Sequence, residues 1–205
     1  MKIEKYEKTG KSKYRLYLDN GEVIDTYDNV ILKNDLLLKK TLNQNTYNQI
    51  FYDNTIEENY NLAFKYISMR IRSTKEIKDY LKRKNAKDDI IEEVVLRLEK
   101  DKLLNDDDFT QAFIKDKLKF TTMGEYKIIN ELKHHQIDSE IINKYSYLMS
   151  EDVMTEKIIK LVDKQIKSNH KYDNFTLRNK IYNNLINLGY SSSQVAAVLN
   201  NYFNQ

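Results

Sequence analysis

Leu81-Lys-Arg-Lys-Asn-Ala86 aligns without gaps on Leu132-Lys-His-His-Gln-Ile137 and on Leu185-Ile-Asn-Leu-Gly-Tyr190, and this triple match decides the fold. Four residues before each anchor leucine stands an isoleucine, at positions 77, 128 and 181. After the anchors come Ile91, Ile142 and Val195, then Val94, Tyr145 and Val198, then Leu98, Met149 and Tyr202. Offsets of three and four put each set on one helical face. The polar turns Lys87-Asp88-Asp89, Asp138-Ser139-Glu140 and Ser191-Ser192-Ser193 precede the last helix of each set and offer acceptors to its first free N–H groups.

Outward from these anchors, a further apolar-periodic segment precedes each helix pair: Asn59 to Ile71, Asp106 to Phe120 and Ser150 to Lys167. The expectation is a mainly α fold with three tandem three-helix, helix-turn-helix-like repeats at 56–104, 105–149 and 150–205. Each unit is too short to bury its own apolar faces fully, so neighbours should stack in an elongated, curved array. Residues 1–55 read as a small N-terminal three-stranded antiparallel β element plus short helices. Lys2 to Lys8, Lys13 to Asp19 and Glu22 to Tyr27 are the expected strands, joined at Thr9-Gly10-Lys11 and at Asn20-Gly21. Asn-Gly is a strong hairpin signal because both residues tolerate positive φ. Leu16 and Leu18 alternate with Arg15 and Tyr17, as a sheet with one covered face requires. A helix from Asp28-Asn29 to about Lys40 and a second near Thr46 to Tyr52 complete this region.

Composition agrees with helical units. The 205 residues include no Pro and four Gly, so little interrupts long helices. With no Cys there are no disulfides or thiolate metal ligands, and no apolar run serves as a signal peptide or membrane span, which makes a cytoplasmic location the expectation. Net charge is only +3, yet it is unevenly placed. Lys65 to Lys87 holds nine basic residues against two acidic, and Asp88 to Asp108 holds nine acidic against three basic. Such a bipolar surface says more than the total.

Within the basic block, Ser73 and Glu76 form an S-x-x-E capping box that starts a helix. Helical geometry puts Ile77, Leu81, Tyr80 and Lys84 on one side and Lys75, Lys78 and Lys82 on the other, facing solvent. Arg70 and Arg72 precede the cap, and Arg suits planar recognition of phosphate or carboxylate. Arg70, Arg72, Lys75, Lys78, Lys82 and Arg83 are therefore the candidate contacts for a partner or for DNA. Asn105-Asp-Asp-Asp108 stands where acids stabilise a helix N-terminus, which outweighs a metal cluster. His134 and His135 are adjacent and point about 100° apart on a helix, while His170 is isolated in a polar loop. No zinc spacing, phosphate-binding loop or nucleophile motif emerges, so no catalytic residue, metal or cofactor is expected. Most of the 16 tyrosines are expected to be structural.

The run Arg70-Ile-Arg-Ser-Thr-Lys-Glu-Ile77 resembles the R-x-R-S-x-x-E-[LIV] signature of the RecX family, bacterial regulators of the recombinase RecA. Leu104-Asn-Asp-Asp-Asp-Phe-Thr-Gln-Ala-Phe113 is similar to that family's D-D-x-x-F-A segment, Gly124-Glu-Tyr-Lys-Ile128 to its G-x-x-x-I, and Leu188-Gly-Tyr190 to its closing G-[FY]. The similarity covers about residues 56 to 203, with an N-terminal meander like that of longer Gram-positive members. Asn105, Thr110 and Gln136 depart from the pattern, where Asp, Ala and Gly are usual, and bear on local helix-end geometry. The resemblance implies a non-enzymatic regulator that binds RecA filaments and suppresses ATP hydrolysis, filament growth and strand exchange; beside it, a monomer with weak sequence-independent contact to single- or double-stranded DNA and no membrane partner is expected. Charge adds that the basic block should face acids or phosphates and the acidic block a basic recombinase surface. An autonomous helix-turn-helix DNA reader and a metal-dependent nuclease at Asp106 and Asp107 are the competing readings.

Overall fold

The structure, a computed structural model, describes residues 1–169 and 171–203. The loop expectation for His170 lies outside them. The chain divides into two compact units, the first holding Met1–Arg70 and Glu76–Leu104, the second Ile71–Lys75 and the residues from Asn105 onward.

The first unit opens with strands β1 (Ile3–Lys8), β2 (Lys13–Leu18) and β3 (Val23–Tyr27), an antiparallel meander in the order β1-β2-β3. Leu16 pairs with Ile24 and Tyr14 with Thr26. Leu16, Leu18 and Ile24 are buried, and their covered face packs on Val30, Ile31, Leu36, Leu42 and Ile50. The β2–β3 connection differs from a two-residue turn with two positive φ angles. Only Gly21 takes one, 83°, while the Asn20 side chain accepts the Glu22 N–H at 3.1 Å. The Gly21 N–H closes the turn on the Leu18 carbonyl at 3.0 Å, so one left-handed residue suffices.

Helix α1 (Asp28–Lys33) is shorter than expected, ending in a left-handed Asp35. Helix α2 (Gln44–Ile67) is one 24-residue helix where a short helix and a separate first-repeat helix were expected, and the division at 55/56 falls inside it. Asn43 caps it by accepting the Thr46 N–H at 2.8 Å. Its continuity is masked because its buried face carries Asp53, Glu57 and Asn59 beside Ile50, Ile56 and Ala63. These polar groups are partnered: Asp53 accepts from Lys33 and Asn34 at 2.8 Å each, and Glu57 from Arg97 at 2.5 Å and Asn29 at 3.1 Å. Helices α3 (Thr74–Arg83) and α4 (Asp88–Lys100) then pack Ile77, Leu81, Ile91, Val94 and Leu98 with Ile56 and Ala63.

The second unit holds α5 (Asp106–Phe120), α6 (Glu125–His134), α7 (Ser139–Lys144) with a 3-10 turn at Ser146–Met149, then α8 (Glu151–Ser168), α9 (Asn174–Asn187) and α10 (Ser192–Phe203). One core joins Ile128, Leu132, Ile181, Leu185, Val195 and Leu199. The sequence columns at the isoleucines and anchor leucines are fully buried in all three repeats. The last column holds for Leu98 and Met149 but not Tyr202, which is 36% exposed and donates to Asp163 at 2.7 Å, leaving Leu199 as the buried residue.

The alignment has a backbone counterpart. Asn85, Gln136 and Gly189, each four residues past its anchor leucine, take φ of 63°, 56° and 90°. In each repeat the next N–H returns to the anchor carbonyl, Ala86 to Leu81 at 3.1 Å, Ile137 to Leu132 at 3.2 Å and Tyr190 to Leu185 at 3.2 Å. This is the Schellman end of a helix, three times over. Gln136 therefore takes the left-handed conformation even without glycine.

Candidate interaction surface

Helix α3 begins within the second unit's residues. Ser73 is buried with its Oγ 3.2 Å from His135 Nδ1, and Asp106 accepts the Thr74 N–H at 2.8 Å. Of the six candidate contacts, Arg72 and Lys75 belong to the second unit and are half-buried, while Arg70, Lys78, Lys82 and Arg83 belong to the first. The lysine stripe is thus not uniformly solvated. Lys78 donates to both Glu92 oxygens at 2.7 and 2.9 Å, Lys82 lies 3.2 Å from Asp88, and Arg70 grips Glu76 with two N–H groups. Arg83 is exposed.

The acidic block is occupied in the same way. Asp88 and Glu92 of α4 serve α3 lysines, and Asp101 accepts from Tyr60 at 2.7 Å. Burial first, and then this bond to Asp101, push the Tyr60 phenol up to about 12, with the Arg97 guanidinium 3.8 Å from its ring centre. Asp106, Asp107 and Asp108 form the first turn of α5, as their position beside the Asn105 cap predicts, with Asn105 accepting the Asp107 N–H at 2.9 Å. Lys144 holds Asp107 at 2.5 Å and lowers its carboxyl pKa. The two charge blocks partly neutralise each other within the fold, so neither is a bare electrostatic face. His135 packs against Phe109 and Phe113, at 5.0 and 5.4 Å between ring centres, while His134 is exposed. Among the described residues, no three His, Asp or Glu side chains gather where a metal ion could be held. Thr110, in place of a small Ala, is buried with its hydroxyl donating to the Asp106 carbonyl at 2.6 Å.

Sequence reading missed a second basic feature in the first unit. Lys11 and Lys13 of the β1–β2 hairpin, Lys65 of α2 and Lys84 after α3 line one groove of about 810 Å3, with Tyr27 and Glu58 among its walls. Burial, then the nearby Glu58 and Glu57 carboxylates, raise the Tyr27 phenol pKa. Lys65 and Lys84 fall in the basic run counted from the sequence, but Lys11 and Lys13 come from a distant hairpin, so no local charge count joins the four. The signal available was weak: Lys11 at the end of the Thr9-Gly10-Lys11 turn and Lys13 just after it.

A three-stranded meander followed by three-helix units with a recurrent Schellman end defines a tandem helical-repeat protein. The model described as "RecX, first three-helix domain" matches residues 60–98. Over 190 residues the chain is 28% identical to the regulatory protein RecX of Halalkalibacterium halodurans, spanning 91% of this chain and 71% of that protein. The regulatory protein RecX of Bacillus subtilis is also 28% identical, over 94% of this chain and 73% of its own. The chain is similar to the RecX family along most of its length. Its fold is shared with a solved regulatory protein RecX (TM-score 0.87, 21% identity, 94% of this chain and 96% of that one). RecX from Lactobacillus salivarius follows at a TM-score of 0.67 and 24% identity, over 72% and 96% of the two chains.

Proposed function

We propose that this protein is a non-enzymatic regulator that binds the filament of a RecA-type recombinase on DNA. In this reading it suppresses ATP hydrolysis, filament extension and strand exchange, and so acts in recombination, DNA repair and the SOS response in the cytoplasm. The observation that carries the reading is the match to proteins named regulatory protein RecX along 91–94% of the chain. The proposed contacts to the filament include the first-unit residues Arg70, Lys78, Lys82 and Arg83 together with Arg72 and Lys75. Their carboxylate partners can be exchanged for acids of the recombinase at modest cost, because exposed ion pairs contribute only about 0–1 kcal/mol.

A helix-turn-helix reader of DNA sequence fits less well. Helix α3 presents Lys78 and Lys82 already engaged by Glu92 and Asp88, and these carboxylates would stand beside the phosphates flanking a major groove. Co-sedimentation with recombinase filaments assembled on single-stranded DNA tests the proposal. The protein should pellet with filaments and remain in solution with the DNA alone at moderate salt; equal pelleting with and without recombinase contradicts the reading.

A further inference from the structure

We infer that the groove between the β1–β2 hairpin and the C-terminal half of α2 is a docking surface for the phosphodiester backbone of a nucleic acid strand, held by Lys11, Lys13, Lys65 and Lys84. The β1–β2 hairpin, α2 and the residues after α3 send these lysines to one concave surface, where the lining includes a single carboxylate, Glu58. None of the four makes an ion pair among the described residues, whereas Lys33, Lys78, Lys82 and Lys144 each hold a carboxylate. Lys13 and Lys84 instead lie over the rings of Tyr27 and Tyr80, at 5.5 and 5.8 Å from the centroids. Like charges gathered in a concave site focus positive potential and attract an anion.

The chemistry favours a nucleic acid strand over an acidic protein. Lysine meets phosphate as a point charge without fixed geometry, which suits contact independent of sequence. Protein interfaces, by contrast, are enriched in Arg and depleted in Lys. Ser12 and Asn61 add neutral polar groups to the groove. The Arg15 guanidinium, next along the hairpin, is held by Asp25 at 2.7 Å and is not counted among the strand contacts.

This inference gives residues to the strand contact within the function proposed above, yet it is testable without any recombinase. Anisotropy of a labelled oligothymidylate is measured against salt for the full chain, for the Lys11→Gln, Lys13→Gln, Lys65→Gln, Lys84→Gln variant, and for a control at exposed lysines outside the groove, Lys5→Gln, Lys39→Gln, Lys160→Gln. The groove variant should bind at least about tenfold more weakly at low salt, and its log–log salt slope should be shallower by about 0.7 per lysine removed. The control should stay within about twofold. Lys11→Gln with Lys13→Gln alone, in an exposed hairpin, should give about half the slope change and guards against misfolding of the full set. The inference is overturned if the parent fails to bind the strand at low salt, or if the groove variants bind as the parent does. It is equally overturned if the groove variant loses recombinase inhibition while binding free strands unchanged, since the groove would then serve protein carboxylates.

Discussion

Gly124 and Gly189 lie so close that a Cβ built on Gly124 would overlap the Gly189 carbonyl oxygen. The Gly124 N–H donates to the Leu188 carbonyl at 2.8 Å and the Tyr126 N–H to that of Gly189 at 3.0 Å. The end of α9 thus satisfies the first N–H groups of α6, which has no side-chain cap. The G-x-x-x-I and L-G-Y segments, remote in sequence, are two halves of one contact inside the second unit.

Substituting either glycine should therefore destabilise the second unit. Gly124→Ala is expected to cost about 1–3 kcal/mol through overpacking against backbone. Gly189→Ala adds left-handed strain and a Cβ 2.7 Å from the Lys127 backbone N, so it should cost more. Gly21→Ala serves as the comparison: its φ is 83° but nothing lies within 4 Å, so only about 1–2 kcal/mol of conformational strain applies. Urea unfolding would check the order Gly189 above Gly21; the reverse order would show the clasp to be slack.

Leu81 is fully buried and anchors the first repeat. Leu81→Ala is expected to cost on the order of 2–5 kcal/mol. The change of Lys75, Lys78 and Lys82 to Gln removes exposed or half-exposed charges and should cost no more than about 1 kcal/mol for each pair broken. Denaturant midpoints separate the two, and a Leu81→Ala loss well under about 1 kcal/mol would break the repeat register.

Gln136 is exposed and holds a left-handed φ of 56°, in the position that Gly189 fills in the third repeat. Gln136→Gly should remove about 1–2 kcal/mol of strain, partly offset by about 0.4–1 kcal/mol of extra freedom in the unfolded chain. A small gain in thermal midpoint is expected, and Gln136→Val should lower it. A clear loss on Gln136→Gly would mean that the glutamine side chain itself stabilises the turn.

Tyr190 is buried, donates to the Thr122 carbonyl at 3.1 Å, and has its phenol pushed up to about 12 by that burial. The unfolded chain ionises tyrosine near pH 10. Between that pH and about 12 the unfolded state therefore holds fewer protons than the folded one, and stability must fall as pH rises. Below pH 10 this contribution is fully present. Unfolding midpoints should decline across this alkaline window, and Tyr190→Phe should flatten part of the decline contributed jointly with Tyr60. An identical decline in the variant would remove Tyr190 from the account.

The repeats were legible because burial follows a helical period: Ile77, Ile128 and Ile181 with their anchor leucines are determined by local apolar spacing. The place of Asp106 to Asp108 in the first turn of α5 was legible for the same local reason. What escaped was non-local. The unbroken α2 hides behind Asp53 and Glu57, whose partners Lys33, Asn34 and Arg97 come from other elements. Neutralisation of the basic run depends on Glu92 and Asp88 folding back onto Lys78 and Lys82, which net charge by segment cannot reveal. The lysine groove needed the hairpin and α2 to meet before Lys11 and Lys65 became neighbours.

Regulation of a RecA-type recombinase is tested most directly by following the recombinase's ATP hydrolysis on single-stranded DNA. Purified protein added at substoichiometric levels should lower the steady-state hydrolysis rate if, as proposed, a bound regulator stops filament extension. Unchanged hydrolysis at equimolar protein would contradict the account.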